Sequence, residues 1–161
     1  MLPKTKTKKA IFAAGCFWGI EAAFRQAKGV LSARVGYTGG SMEKPAYEDV
    51  CSDKSGHAEA VEVTFDPKKV AYEKLLDIFW RIHDPTQLNR QGPDVGSQYR
   101  SVIFYMDAKQ KAAAETSLKK EQKRHAKPIA TKVVKAGKFW PAEEYHQDYY
   151  GKRGKVCGIR L

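Results

Sequence analysis

Cysteine is scarce here, at three in 161 residues, and no two form a Cys-x-x-Cys pair. That excludes a disulfide scaffold, a zinc ribbon and a thioredoxin-type motif, and it predicts a reduced, cytoplasmic setting. No apolar run is long enough to span a membrane. Lysines followed by an apolar stretch and Cys16 mimic a lipoprotein signal. However, that stretch covers only the six residues 10–15, short of the roughly 7–15 such a signal needs. There is no repeat in the 20–50-residue range and no low-complexity segment. Acidic residues are few, 18 against 29 Lys and Arg, for a net charge of +11. The excess falls in residues 3–9, 109–127 and 152–160. No aromatic-studded basic stripe accompanies it, so solvated surface rather than nucleic-acid binding is expected. The four histidines lack ligand spacing. Neither a metal nor an organic cofactor is expected.

What is present begins with Gly15-Cys16-Phe17-Trp18-Gly19. Cys16 follows a short apolar run and precedes Phe17, Ile20, Phe24 and Ala27, whose spacing marks one helical face. That places Cys16 at a helix N-terminus, where the dipole predicts a lowered thiol pKa. An activated sulfur beside an aromatic wall suits attack on a small, partly apolar group. By position alone, a buried inert cysteine is an equal alternative.

The length predicts a single catalytic domain over 1–161, with a basic arm over 1–8 and a largely irregular tail over 137–161. Strands are predicted over 9–14, 30–37, 58–65, 99–106 and 129–135. A first helix runs to about residue 28, a second starts at Asp66-Pro67 and ends at Asp84-Pro85, and a lysine-rich third runs from the cap Asp107 to about residue 125. Residues 38–56 and 86–98 read as long loops. This order predicts an α+β fold: a ferredoxin-like split β-α-β sheet with helices packed on it and an irregular C-terminal tail.

Alternation over 58–65 puts Glu59 on the apolar face with Val61, Val63 and Phe65. A carboxyl there is costly unless paired or protonated, and burial raises its pKa toward that of a general acid. The turn-rich stretch from Leu88 to Ser101 holds Asp94 and Tyr99, and a loop placed by a rigid sheet is a usual home for site residues. Two other classes compete at this level. One is a basic nucleic-acid-binding module, which needs exposed stacking aromatics on the sheet. The other is a thiol peroxidase using Cys16.

Six stretches in order resemble one family. They are Gly15-Cys16-Phe17-Trp18-Gly19, Val35-Gly36-Tyr37-Thr38-Gly39-Gly40, Tyr47-Glu48-Asp49-Val50-Cys51, Gly56-His57-Ala58-Glu59, the run from Gly92 to Ser101, and Glu144-Tyr145-His146-Gln147. The chain resembles the peptide methionine sulfoxide reductases of the A type, specific for the S-epimer, over nearly its whole length. The resemblance implies that Cys16 attacks the sulfoxide sulfur and that Glu59 protonates the oxygen. It implies that Tyr47 and Tyr99 hydrogen-bond that oxygen, that Asp94 organises the site, and that Phe17 and Trp18 hold the substrate methyl. Substrates would be oxidised proteins, peptides or free methionine sulfoxide. The sulfenic acid left on Cys16 would condense with Cys157, or alternatively Cys51, and thioredoxin would reduce the disulfide. A monomer is expected.

Overall fold

A computed structural model describes residues 6–52 and 55–152. The chain runs β1 (Lys8–Ala14), α1 (Phe17–Arg25), β2 (Val30–Thr38), α2 (Tyr47–Cys51), β3 (Ala58–Phe65) and α3 (Tyr72–Arg81). A two-stranded ribbon, β4 (Arg90–Gln91) with β5 (Asp94–Val95), precedes β6 (Ser101–Tyr105). Then come α4 (Ala108–Gln122), β7 (Lys132–Lys135), β8 (Trp140–Pro141) and α5 (Tyr149–Lys152).

The sheet order is β7-β6-β1-β3-β2-β8. Its centre, β6-β1-β3-β2, is antiparallel throughout, as a split β-α-β pair requires. The expected fold class therefore holds. The sheet is wider than expected, because β7 adds in parallel to β6 and β8 pairs with β2.

The main core lies between the sheet and the helices. Phe12 stacks with Phe24 at 5.0 Å and with Phe79 at 5.4 Å, joining β1 to α1 and α3. It is fully buried, and truncation to alanine would cost about 3–5 kcal/mol. Alternation along β3 sends Val61, Val63 and Phe65 into this core, while Ala58 and Ala60 join a smaller cluster on the reverse face. Among the described residues, no helix is long and apolar enough to cross a membrane.

Several boundaries differ from expectation. The first helix stops at Arg25, and Gly29 (φ 97°) turns the chain into β2 in the left-handed region glycine tolerates. Asp66 does not cap the second helix. Its carboxylate accepts from Lys68 N, and its carbonyl accepts from Lys69 N and Val70 N. That closes a separate turn, and α3 begins later, at Tyr72. Asp107 caps α4 as expected, accepting from Gln110 N, but that helix ends at Gln122. The last long strand begins at Lys132 rather than 129. Tyr99 lies in a 3-10 turn, Ser97–Tyr99, just before β6. The loop over 38–56 contains α2, and the loop over 86–98 contains the ribbon. The tail holds β8, a 3-10 turn at Glu144–His146 and α5.

Candidate active site

Cys16 occupies the hinge between β1 and α1, as the N-cap residue of α1. Gly15 before it has φ 107°, and a Cβ there would meet the Gln91 side chain at 2.9 Å. Gln91 is itself held: its Oε1 accepts from Asp84 N and its Nε2 donates to Asp84 O, both at 2.9 Å. The ribbon is thus fastened over the hinge. Its next strand brings in Asp94, whose charge acts on both Cys16 and Glu59.

Glu59 enters from β3 on the helix side and is 2% exposed. Its Oε1 accepts the Phe17 amide at 3.2 Å, which ties the carboxyl to the first turn of α1. Burial is the main cause that pushes its pKa up to about 8; the Phe17 hydrogen bond opposes this, and Asp94 adds to it. Near neutral pH the group is largely a neutral acid.

The Cys16 thiol corrects an expectation. Its pKa is raised, to about 12, not lowered. Burial is the largest cause, followed by the charge of Glu59. Hydrogen bonding from the Trp18 and Gly19 amides does pull downward, as a helix start should, and Asp94 pushes upward again. The helix terminus acts as foreseen but is outweighed. In the resting site Cys16 is a thiol.

Tyr47 and Tyr99 come from α2 and from the turn before β6. Both phenols are shifted upward. For Tyr47 the leading cause is a hydrogen bond with Cys51, one turn further along α2; for Tyr99 it is burial, then the charge of Glu59. Glu59 acts on both, and Cys16 also acts on Tyr99. The two hydroxyls remain protonated donors in the neighbourhood of the acid.

The aromatic pair divides its tasks. Phe17 is 1% exposed and packs against Tyr37 at 5.8 Å and His146 at 5.2 Å. Trp18 is half-buried and stacks on Tyr149 at 3.8 Å. Its Nε1 donates to His146 Nδ1 at 3.0 Å.

His146 carried no role in the sequence reading, yet it is buried here and its ring also meets Tyr47 at 4.6 Å. Gln147 fastens the same segment to β2, accepting from Val35 N and donating to Val35 O, both at 2.9 Å. The Glu144-Tyr145-His146-Gln147 motif was the available signal, but nothing in its spacing names a partner more than 100 residues away. Cys16, Phe17, Trp18, Glu59, Asp94, Tyr99 and Tyr47 are thus brought together. Cys51 is exposed beside Tyr47, and Cys157 lies outside the described residues.

Comparison with known proteins gives a consistent picture. The profile of the family "Peptide methionine sulfoxide reductase" matches residues 8–160. The chain is 59% identical over 159 residues to the peptide methionine sulfoxide reductase MsrA of Methanosarcina acetivorans, covering 98% of this chain and 85% of that one. It is similar to the crystal structure of Mxr1 from Saccharomyces cerevisiae in reduced form, with TM-score 0.90, 34% identity, and coverage of 100% of this chain and 94% of that chain. Another structure of Mxr1, in complex with Trx2, shares the fold, with TM-score 0.65, 24% identity, and coverage of 92% and 88%. With a family match across nearly its whole length and close relatives at this identity, the chain belongs to the A-type peptide methionine sulfoxide reductases.

Proposed function

We propose that the chain reduces methionine-S-sulfoxide to methionine with Cys16 as nucleophile and Glu59 as acid. The observation that carries this reading is the Glu59 carboxyl, buried, fastened to the Phe17 amide and held protonated near neutral pH beside Cys16. A sulfoxide oxygen leaves poorly unless protonated. Glu59 donates the proton, and the Tyr47 and Tyr99 hydroxyls stabilise charge as it develops on the oxygen. Burial, helped by the charge of Asp94, keeps the acid's pKa high. Trp18, backed by Phe17, walls the methyl group. Fixing both methyl and oxygen selects the epimer, because apolar contacts alone discriminate by only about 1–3 kcal/mol.

The bookkeeping of atoms closes within this site. Cys16 sulfur attacks the sulfoxide sulfur and gives up its thiol proton. The carboxylate left when Glu59 has protonated the oxygen is the neighbouring acceptor. The oxygen ends on Cys16 as a sulfenic acid, and methionine leaves. A second thiol then displaces water to form a disulfide, which a dithiol reductant returns to two thiols. We assign the second thiol to Cys157, with Cys51 as the alternative, and the dithiol to thioredoxin, the partner type suggested by the yeast relative solved in complex with Trx2. Reduced thiols of this kind suit the cytoplasm.

The test is single-turnover chemistry without reductant. The wild type should form one equivalent of methionine and, by mass spectrometry, a disulfide containing Cys16. Cys16→Ser should form none while remaining folded. Cys157→Ser should still give its one equivalent, accumulate the Cys16 sulfenic acid and fail to cycle with thioredoxin. If Cys51→Ser fails to cycle instead, the second thiol is Cys51. Turnover of peroxide but not of methionine sulfoxide would make the protein a peroxidase.

A further inference from the structure

The indole of Trp18 is held from two directions. One face stacks on Tyr149 of α5, with ring centroids 3.8 Å apart and planes 10° from parallel. Stacking fixes the plane of the ring but not its direction within that plane, because the Cβ–Cγ torsion of tryptophan is broad and roughly twofold. The bond from Nε1–H to His146 Nδ1, at 3.0 Å, supplies the missing direction. It decides which edge of the half-buried indole is left for a substrate.

That bond also prescribes the state of His146. An indole nitrogen is a donor only, so Nδ1 must be a bare acceptor. The imidazole is then neutral, with its proton on Nε2. Glu143 Oε2 lies 3.8 Å from that nitrogen, and its negative charge favours the proton on that side. The carboxylate is itself oriented, with one oxygen accepting from Tyr37 at 3.2 Å and the other from Tyr145 at 3.1 Å. His146 is 1% exposed. Its ring packs among Phe17, Tyr47 and Tyr145, with centroids 5.2, 4.6 and 4.1 Å away, so close packing sets the direction in which Nδ1 points. A box of this kind would accept phenylalanine at less cost, because burying an imidazole is unfavourable unless its nitrogens are engaged. Here one nitrogen is engaged with the residue that walls the substrate.

We propose that His146 is a positioning residue for the reaction: as a neutral imidazole protonated on Nε2 and oriented by Glu143, it fixes the orientation of Trp18 and thereby the place of the substrate methyl group. This rests on the reading of Trp18 as the wall of the methyl site. His146 acts only through the indole, so what it controls is how tightly the methyl group is held.

The experiment measures reduction of blocked methionine-S-sulfoxide with a small dithiol as reductant, so that no protein partner takes part. His146→Phe keeps a ring in the box but removes the acceptor. KM should rise about three- to tenfold, the yield of one lost hydrogen bond, with kcat within about twofold. His146→Asn can place its side-chain oxygen where Nδ1 stands, and should recover most of the wild-type KM although it gives up the ring. In NMR, the indole N–H of Trp18, assigned by its loss in Trp18→Phe, should lose its protection from solvent exchange in His146→Phe and keep it in His146→Asn. Trp18→Phe has no N–H to hold. Adding His146→Phe to it should therefore change KM by less than about twofold, where independent effects would multiply. This cycle decides the matter if His146→Asn does not fold. Three results overturn the inference. One is a fall in kcat at unchanged KM in His146→Phe, the mark of fewer folded molecules. Another is an equal rise in KM in the Phe and Asn variants. The third is a full further rise in KM on the Trp18→Phe background. A wild-type KM in Trp18→Phe would instead remove the methyl wall, and this inference with it. Failure of the wild type to reduce the sulfoxide would count against the proposed activity itself.

Discussion

Strand β3 buries two carboxylates, Glu59 and Glu62, on opposite faces of the sheet, and the two meet different surroundings. Glu62 is 6% exposed. It sits opposite Arg34 in the β2–β3 register, accepts from Arg34 Nε at 2.8 Å and lies 3.6 Å from Lys9 Nζ. Glu59 has an aromatic neighbour in the same register, Tyr37, and one backbone amide. A pair of cations ties the Glu62 carboxylate into a structural ion pair. A buried setting with a single backbone donor and a negative charge, Asp94, nearby keeps Glu59 protonated. Three residues along one strand thus separate an ion pair from an acid.

Breaking the comparison at its chemical end should have the largest effect. Glu59→Gln should slow single-turnover sulfoxide reduction by roughly 10²–10⁴-fold, measured by rapid quench, whereas Glu62→Gln should leave that rate within about twofold. Similar losses in both would end the distinction.

A second test is thermodynamic. Between the ordinary value of 4.5 and about 8, folded Glu59 holds a proton that the unfolded chain has released. Stability therefore falls as pH rises through that window, by up to about 5 kcal/mol, and the whole contribution is present below 4.5. Glu59→Gln cannot lose that proton. Denaturant unfolding at pH 5 and pH 9 should show the wild type weakening relative to the variant; parallel curves would mean that the carboxyl is not held protonated. The acid-dependent rate of the wild type should likewise decline above about pH 8.

Gly15→Ala should come next. It forces a side chain onto φ 107° and against Gln91, costing about 1–3 kcal/mol. It should displace Cys16, so kcat should drop more than KM changes. Unaltered kinetics would show that the hinge is not what positions the thiol. The smallest effect belongs to the paired carboxylate. Arg34 is half-exposed, so Glu62→Gln should cost no more than about 1 kcal/mol, read from the urea midpoint.

Much of this was legible before any coordinates, for identifiable reasons. The period-2 pattern over residues 58–65 put Glu59 on the correct face, since a strand's alternation is strictly local. The 3.6-residue spacing after Cys16 located α1 for the same reason. What escaped depends on contacts between distant segments. Asp66-Pro67 carries a helix-start signal, but Asp66 uses its hydrogen bonds in a turn of its own. The five residues of α2 are too few for periodicity to register. The thiol's direction of shift could not be read from the helix terminus, because burial and Glu59 arrive from elsewhere in the chain. His146 becomes meaningful only when folding brings it 128 positions back to Trp18.

The raised thiol has a consequence for the protein's own survival. Alkylating agents and peroxides react with thiolates, not thiols. Moving a thiol from 9.0 to about 12 lowers its ionised fraction at neutral pH on the order of a thousandfold. The Cys16 thiol is thereby kept dormant toward such reagents. In the proposed mechanism it becomes reactive only against a partner that brings its own oxygen to Glu59. Indiscriminate reagents meet the exposed Cys51 instead, and the repair chemistry stays reserved for the damage it fits.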